Sequence, residues 1–203
     1  MMMLYLHGFR SSPASFKARL LENHFKANDL AKRWRCPQLP VSPKAALQLA
    51  RSEALSLAKT CQQPIETLTI AGSSLGGFYA IVLAEALGCR SIVINPAVYA
   101  ARDLATQVGD HKHYHSDEPM TFKAEYVQEL SDMAVPSITK PERYLLIAAT
   151  GDELLDWREM VAFMDGAHHI IVSGSDHGLS DFEKYMPRVL EFADMPTPSN
   201  QVD

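Results

Sequence analysis

The chain has 203 residues, 47% of them hydrophobic and 21% charged, with a formal net charge of −5. That is length for one domain with a full core, and the composition fits an ordinary soluble globular protein. The acidic balance, without any Lys/Arg cluster, speaks against nucleic acid or an anionic membrane as a partner.

In chain order, Met2 to Leu6 reads as a short buried strand that ends in His7-Gly8-Phe9. Ser12 and Pro13 carry an N-cap and first-turn signal. They predict a helix to about Asn28 with Phe16, Leu20, Leu21, His24 and Phe25 on its apolar stripe. Lys32 to Cys36 is a weaker strand, followed by the proline-rich turn CPQLPVSP. Ser42-Pro43 repeats the helix-start signal, and Leu47, Ala50, Ala54, Leu57 and Ala58 form the buried face of a second helix. Thr67 to Ala71 is a β-branched strand, Leu75 to Leu87 an apolar helix stopped by Gly88, and Ser91 to Asn95 a strand stopped by Pro96.

From Ala97 to Pro141 the alternation breaks. A polar run, GDHKHYHSDEP, precedes a segment with Phe122, Tyr126, Leu130 and Met133 at helical spacing. Alternation then returns with a strand over Arg143–Ala149, a helix over Leu154–Met164, a strand over His168–Ser173 and a helix over Leu179–Phe192. Residues 1–194 therefore read as one domain, with 97–141 as an insert over the site and 195–203 as a polar tail that frays. Six strands alternating with helices imply a mostly parallel sheet covered on both faces.

The start, MMMLYLHGF, lacks the basic region and long apolar run of a signal peptide, and no apolar stretch reaches membrane-spanning length. Cys36, Cys61 and Cys89 are odd in number and form no C-x-x-C pattern, so they read as reduced thiols. The expectation is a cytoplasmic protein.

In such sheets ligands bind beyond the carboxyl ends of the strands, and four of these turns carry chemistry. Gly72-Ser73-Ser74-Leu75-Gly76 matches G-x-S-x-G between a strand and a helix, where the flanking glycines remove Cβ atoms that would clash and the new helix aims amides at a developing oxyanion. Ser73 is a neighbour, but only Ser74 has glycine two residues away on both sides. Asp152 in TGDE follows another strand, with Glu153 and Asp156 as rivals, and TGDE read alone is a helix cap. His177 in SGSDHG alone among the eight histidines follows a strand near the C-terminus; Asp176 beside it shapes the loop. The order Ser74, Asp152, His177 is the serine, acid, histidine order of α/β-hydrolases. Position after the first strand gives the backbone N–H of Phe9 as one oxyanion donor, with that of Leu75 as the other, and makes His7 a residue that pins the loop.

These landmarks resemble the YqiA-like family of small bacterial esterases within the α/β-hydrolase superfamily. The shared residues are YLHGF-x-SSP at Tyr5 to Pro13, PQLP at Pro37 to Pro40, GSSLGG at Gly72 to Gly77, NPAV at Asn95 to Val98, TGDE-x-LD at Thr150 to Asp156, and His177. The resemblance implies a three-layer α/β-hydrolase fold of about six mostly parallel strands, lacking the first two strands of larger members. It also implies a carboxylic-ester hydrolase acting on small acyl esters or thioesters.

The expected mechanism is cofactor-free and metal-free, through an acyl-enzyme on Ser74, with Phe122 and Tyr126 covering the acyl group. Packing of these two against the core is an equal reading. Acyl transfer on the same triad and a non-catalytic ligand-binding module are the alternatives. A zinc site on His111, His113 and His115 competes with an exposed polar loop at HKHYH. Nothing in the sequence sets the oligomeric state or the physiological ester.

Overall fold

The computed structural model describes residues 1–114 and 118–195. His115, the third member of the histidine run, and the tail from residue 196 onward lie outside the described residues.

The elements are β1 (Met2–Leu6), α1 (Phe16–Ala27), β2 (Trp34–Arg35), α2 (Pro43–Cys61), β3 (Leu68–Ser73), α3 (Leu75–Leu87) and β4 (Arg90–Ile94). They continue with α4 (Ala100–Leu104), β5 (Gly109–Lys112), β6 (Pro119–Phe122), α5 (Ala124–Met133), β7 (Tyr144–Ala149), α6 (Trp157–Phe163), β8 (His168–Val172) and α7 (Met186–Asp194). Six strands form one sheet in the order β2-β1-β3-β4-β7-β8, and every pair in it is parallel. Parallel strands need crossover helices, which cover both faces, so the central strands are buried and mostly apolar. β1, β3, β4 and β7 are buried at every position.

Period-two alternation sorts each strand between two cores. On one face Met2, Leu4 and Leu6 join Ala50 and Leu57 of α2 and Phe78 and Ile81 of α3. On the other, Met3 and Tyr5 meet Leu21 and Phe25 of α1 and Val189 and Phe192 of α7. Strand order reverses between β1 and β3, so the crevice beyond their carboxyl ends is the natural ligand site of this topology.

Several local expectations shift, each for a readable reason. α1 starts at Phe16, because Ser12 and Pro13 close a turn in which Ala14 N–H donates to Ser12 Oγ at 3.1 Å. Its buried stripe is Lys17, Ala18, Leu21 and Phe25, while Phe16 is 51% exposed. The helix is thus turned by about one residue from the expected phase, with a lysine facing inward. α6 starts at Trp157 because Asp152 Oδ1 takes the amides of Leu154 and Leu155 and Asp156 caps the helix. α7 starts at Met186, which leaves Pro187 in the first turn where its missing N–H is harmless.

Within 97–141, the polar run contributes β5 to an antiparallel hairpin with β6, and Phe122 belongs to that strand, not to the helix that follows. α5 packs on α2 and α4. Among the described residues no helix is long and apolar enough to cross a membrane.

Candidate active site

β3 ends in a turn that only glycines allow. A Cβ on Gly72 would lie 2.1 Å from the carbonyl oxygen of Gly76, and one on Gly76 would lie 2.0 Å from that of Leu6. The strand therefore passes directly into α3, and Ser74 at the bend has φ 55°, a left-handed backbone that costs an L-residue on the order of 1–3 kcal/mol. Neighbours hold it there. Ser74 N–H donates to Ile94 O at 3.0 Å, and Ser74 O accepts from Gly77 and Ala97 amides at 2.9 and 3.1 Å. Ser73 is the last residue of β3 and turns its hydroxyl to Tyr5, so Ser74 is the residue presented at the sheet end.

The structure brings the three expected catalytic residues together. His177 Nε2 lies 2.9 Å from Ser74 Oγ, and His177 Nδ1 lies 2.8 Å from Asp152 Oδ2. With Nδ1–H donated to the carboxylate, Nε2 is free to accept the serine hydroxyl. The Asp152 side chain is wholly buried, and its other oxygen accepts Leu154 and Leu155 amides at 2.9 Å each. The rivals are used differently. Glu153 Oε2 accepts the backbone N–H of His177 at 2.9 Å, and Asp156 caps α6. Asp176 Oδ1 accepts Ser180 N–H, shaping the loop.

Three positioning residues escaped the sequence reading. Asn95, fully buried with φ 42°, donates Nδ2 to the carbonyls of Asp176 and His177 at 3.1 and 2.9 Å and accepts Ala149 N–H at 2.8 Å. Its signal is a polar residue at a buried strand end before proline; the sequence reading takes it as the last residue of the strand and as part of the NPAV landmark, with no role at the site. Glu153 was weighed as a rival acid. Gly151 lets the acid turn approach the histidine turn: a Cβ there would meet Ser175 O at 2.3 Å.

The turn after β1 lies over Ser74, and a Cβ on Gly8 would sit 3.2 Å from Ser74 Cβ. His7 pins this turn. Its Nδ1–H donates to Gly8 O and its Nε2 accepts Leu39 N–H, both at 3.0 Å. Phe9 follows, and Leu75 opens α3, where an amide has no intrahelical acceptor. Arg10 ties the turn to the hairpin. Its Nε donates to Lys112 O at 2.7 Å, its carbonyl accepts Tyr114 N–H at 2.8 Å, and its guanidinium lies 4.5 Å from the Tyr114 ring centre.

Ser74 and His177 open into a cavity of about 560 Å³, within the range of small-molecule sites. Ala97, Leu104, Leu154 and Leu155 supply apolar lining, Asp103 and Glu153 supply carboxylates, and Lys17 of α1 and Ser15 at its N-cap line the cavity as well. Burial raises the Asp103 carboxyl above its ordinary range. Phe122 and Tyr126, expected as substrate contacts, do not line this cavity. β6 alternates so that Met120 and Phe122 point into the protein, and Phe122 has no exposure. Its ring packs edge-on to Phe9 at 5.2 Å and to Tyr126 at 5.6 Å, so the pair backs the Phe9 turn. His111 gives its Nε2–H to Gln107 O at 2.6 Å and stacks edge-on to Phe9. Among the described residues no group of three His, Cys, Asp or Glu side chains gathers at metal-binding distance.

Similar architectures recur among solved structures. One of the metagenome-derived lipolytic enzymes LipS and LipT superposes with a TM-score of 0.68 at 16% identity, covering 94% of this chain and 92% of its own. Mouse alpha/beta hydrolase domain-containing protein 10 gives 0.62 at 15%, with 93% and 89% covered, and the esterase domain of a Rhodothermus marinus protein gives 0.60 at 18%, with 93% and 84% covered. At such identities the likeness is one of fold, and the fold is that of the α/β-hydrolases. The profile of the Uncharacterised protein family (UPF0227) matches residues 2–194. With nearly its whole length matched, the chain belongs to that family, the YqiA-like group its landmarks resemble.

Proposed function

We propose that the protein is a serine-dependent hydrolase of carboxylic esters or thioesters, working through an acyl-enzyme on Ser74. The observation that carries this reading is the continuous relay from Ser74 Oγ through His177 to Asp152, at 2.9 and 2.8 Å, with Ser74 and His177 lining a cavity that also has apolar lining. The names of the structures sharing its fold, lipolytic enzymes and an esterase domain, support the same class.

In this reading Ser74 Oγ attacks the acyl carbonyl carbon while its proton passes to His177 Nε2. The carbonyl oxygen takes the electron pair and receives hydrogen bonds from the amides of Phe9 and Leu75. Collapse breaks the bond to the alcohol or thiol, which leaves with the proton from His177. Water then attacks the acyl-enzyme, gives its proton to His177, and Ser74 recovers it as the acid departs. Asp152 holds the imidazole in the tautomer that both half-reactions need.

The test is labelling with a fluorophosphonate, with the modified residue mapped by mass spectrometry, and turnover on acyl esters and thioesters with the products identified. Label on Ser74 and a loss on the order of 10⁶ in kcat for Ser74→Ala are expected. Label on Ser73, or near-normal turnover in Ser74→Ala, would overturn the assignment.

A further inference from the structure

Lys17 is a cation where helices of this kind place an apolar residue. It sits on the buried stripe of α1, is only 9% exposed, and forms part of the cavity wall that also holds Ser74 and His177. Lysine is almost never buried to this degree without a paired charge. Its ammonium donates one hydrogen bond, to the carbonyl of Gly178 beside His177. Among the described residues it forms no ion pair; Asp176 is the carboxylate whose field it feels. Two of its three donor directions are therefore unused. Burial pushes it down to about 8, against the pull of Asp176, which is the mark of a cation lacking a contact partner.

Ser15 adds a second, independent sign. It occupies the N-cap position of α1 yet makes no capping bond, and its hydroxyl oxygen is buried without a partner among the described residues. It lines the same cavity. The same cavity is also lined by Asp103 and Glu153, together with Leu104, Leu154 and Leu155; Asp103 is paired with Arg102 and Glu153 accepts the backbone N–H of His177. Both lining carboxylates are thus engaged by protein donors, whereas Lys17 and Ser15 keep hydrogen-bonding capacity to spare among the described residues.

We infer that Lys17 and Ser15 form an anion-recognising subsite, so that the ester or thioester this protein cleaves carries a carboxylate or phosphate group on one of its two halves. The inference rests on the ester-hydrolase reading for its substrate class. The anion completes the donor set of Lys17 and Ser15, while the neutral part of the substrate lies against the apolar wall. A charge-assisted hydrogen bond of this kind corresponds to about 10- to 100-fold in discrimination.

The experiment compares kcat/KM for matched pairs. Mono(4-methylphenyl) adipate against 4-methylphenyl hexanoate places the charge on the acyl half. 4-(Carboxymethyl)phenyl and 4-(phosphonomethyl)phenyl butyrate against 4-methylphenyl butyrate place it on the leaving half. The parent should prefer at least one charged member by about 10- to 100-fold. Lys17→Gln keeps a donor for Gly178 O without the charge and should bring that ratio toward one, with Lys17→Arg retaining part of it. A parent with no charged preference, or a ratio unchanged in Lys17→Gln, would overturn the subsite. So would a fall of charged and neutral esters in parallel, which is the signature of a strut for the His177 loop. If no ester is turned over, the hydrolase reading fails separately. Calorimetry of Ser74→Ala with the adipate monoester, against Ser74→Ala/Lys17→Gln, then tests the subsite alone: weaker binding in the double variant supports it and equal binding sinks it.

Discussion

Asn95 grips the carbonyl of His177 at 2.9 Å from the end of a neighbouring strand. The same side chain accepts the amide of Ala149, three residues before Asp152, so one buried group spans the acid and histidine turns. Asn95→Ala leaves Ala149 N–H and the His177 carbonyl without this partner, each costing about 1–3 kcal/mol where burial persists, while Asp176 O keeps the amide of Leu179. The variant should melt at a lower temperature and, where still folded, lose up to about 10²-fold in kcat with KM little changed. Thermal denaturation and separate kcat and KM values decide this; a folded variant with parental kcat would remove Asn95 from the positioning role.

The two adjacent carboxylates of TGDE should separate cleanly. Asp152→Asn removes the acceptor that fixes the His177 tautomer and should lower kcat by up to roughly 10⁴. Glu153→Gln still offers an amide oxygen to His177 N–H and should cost less than about tenfold. Turnover of the two variants on one soluble ester checks the ranking, and a larger loss at Glu153 would reverse it.

Gly76 and Gly8 make a graded pair at the same junction. Gly76→Ala puts a methyl 2.0 Å from a backbone oxygen of the neighbouring strand, which cannot yield without moving β1 from β3. A destabilisation above about 4 kcal/mol is expected, visible as loss of folded protein or of the urea midpoint. Gly8→Ala meets its nearest atom at 3.2 Å, so the turn need shift only slightly. That variant should fold and fall in kcat. Equal stability of the two would contradict the packing described.

Lys17 should tie stability to alkaline pH. Its folded value of about 8 lies below the ordinary 10.5, so between those limits the unfolded chain binds a proton that the folded chain has released. Stability of the parent relative to Lys17→Met should therefore rise by about 3 kcal/mol as pH passes from 8 to 10.5. Below pH 8 the same amount is a deficit, offset in part by the bond to Gly178. Urea unfolding of both proteins at pH 7 and pH 10 tests this, and a pH-independent difference would refute it.

What the sequence made legible was whatever the backbone enforces. Gly72 and Gly76 announce a turn that no other residue permits, and with Asp152 and His177 at later strand ends they allowed the three side chains to be named before their distances were known. Phe122 was misread because helical spacing in TFKAEY runs through a strand end, and the period alone does not mark where one element stops. Lys17 was invisible for a related reason. Phe16 and Leu20 outvote it in any apolar stripe, and a charged residue beside them reads as solvated until neighbouring elements set the helix rotation.

Arg10 joins the hairpin to the turn over Ser74 by two hydrogen bonds and a ring contact, and one peptide link separates it from Phe9. Tyr114 belongs both to that junction and to the cavity wall. Arg10 is therefore the shared support of two surfaces: the cavity wall at Tyr114 and the turn that lies over Ser74, so a change at Arg10 reaches both at once.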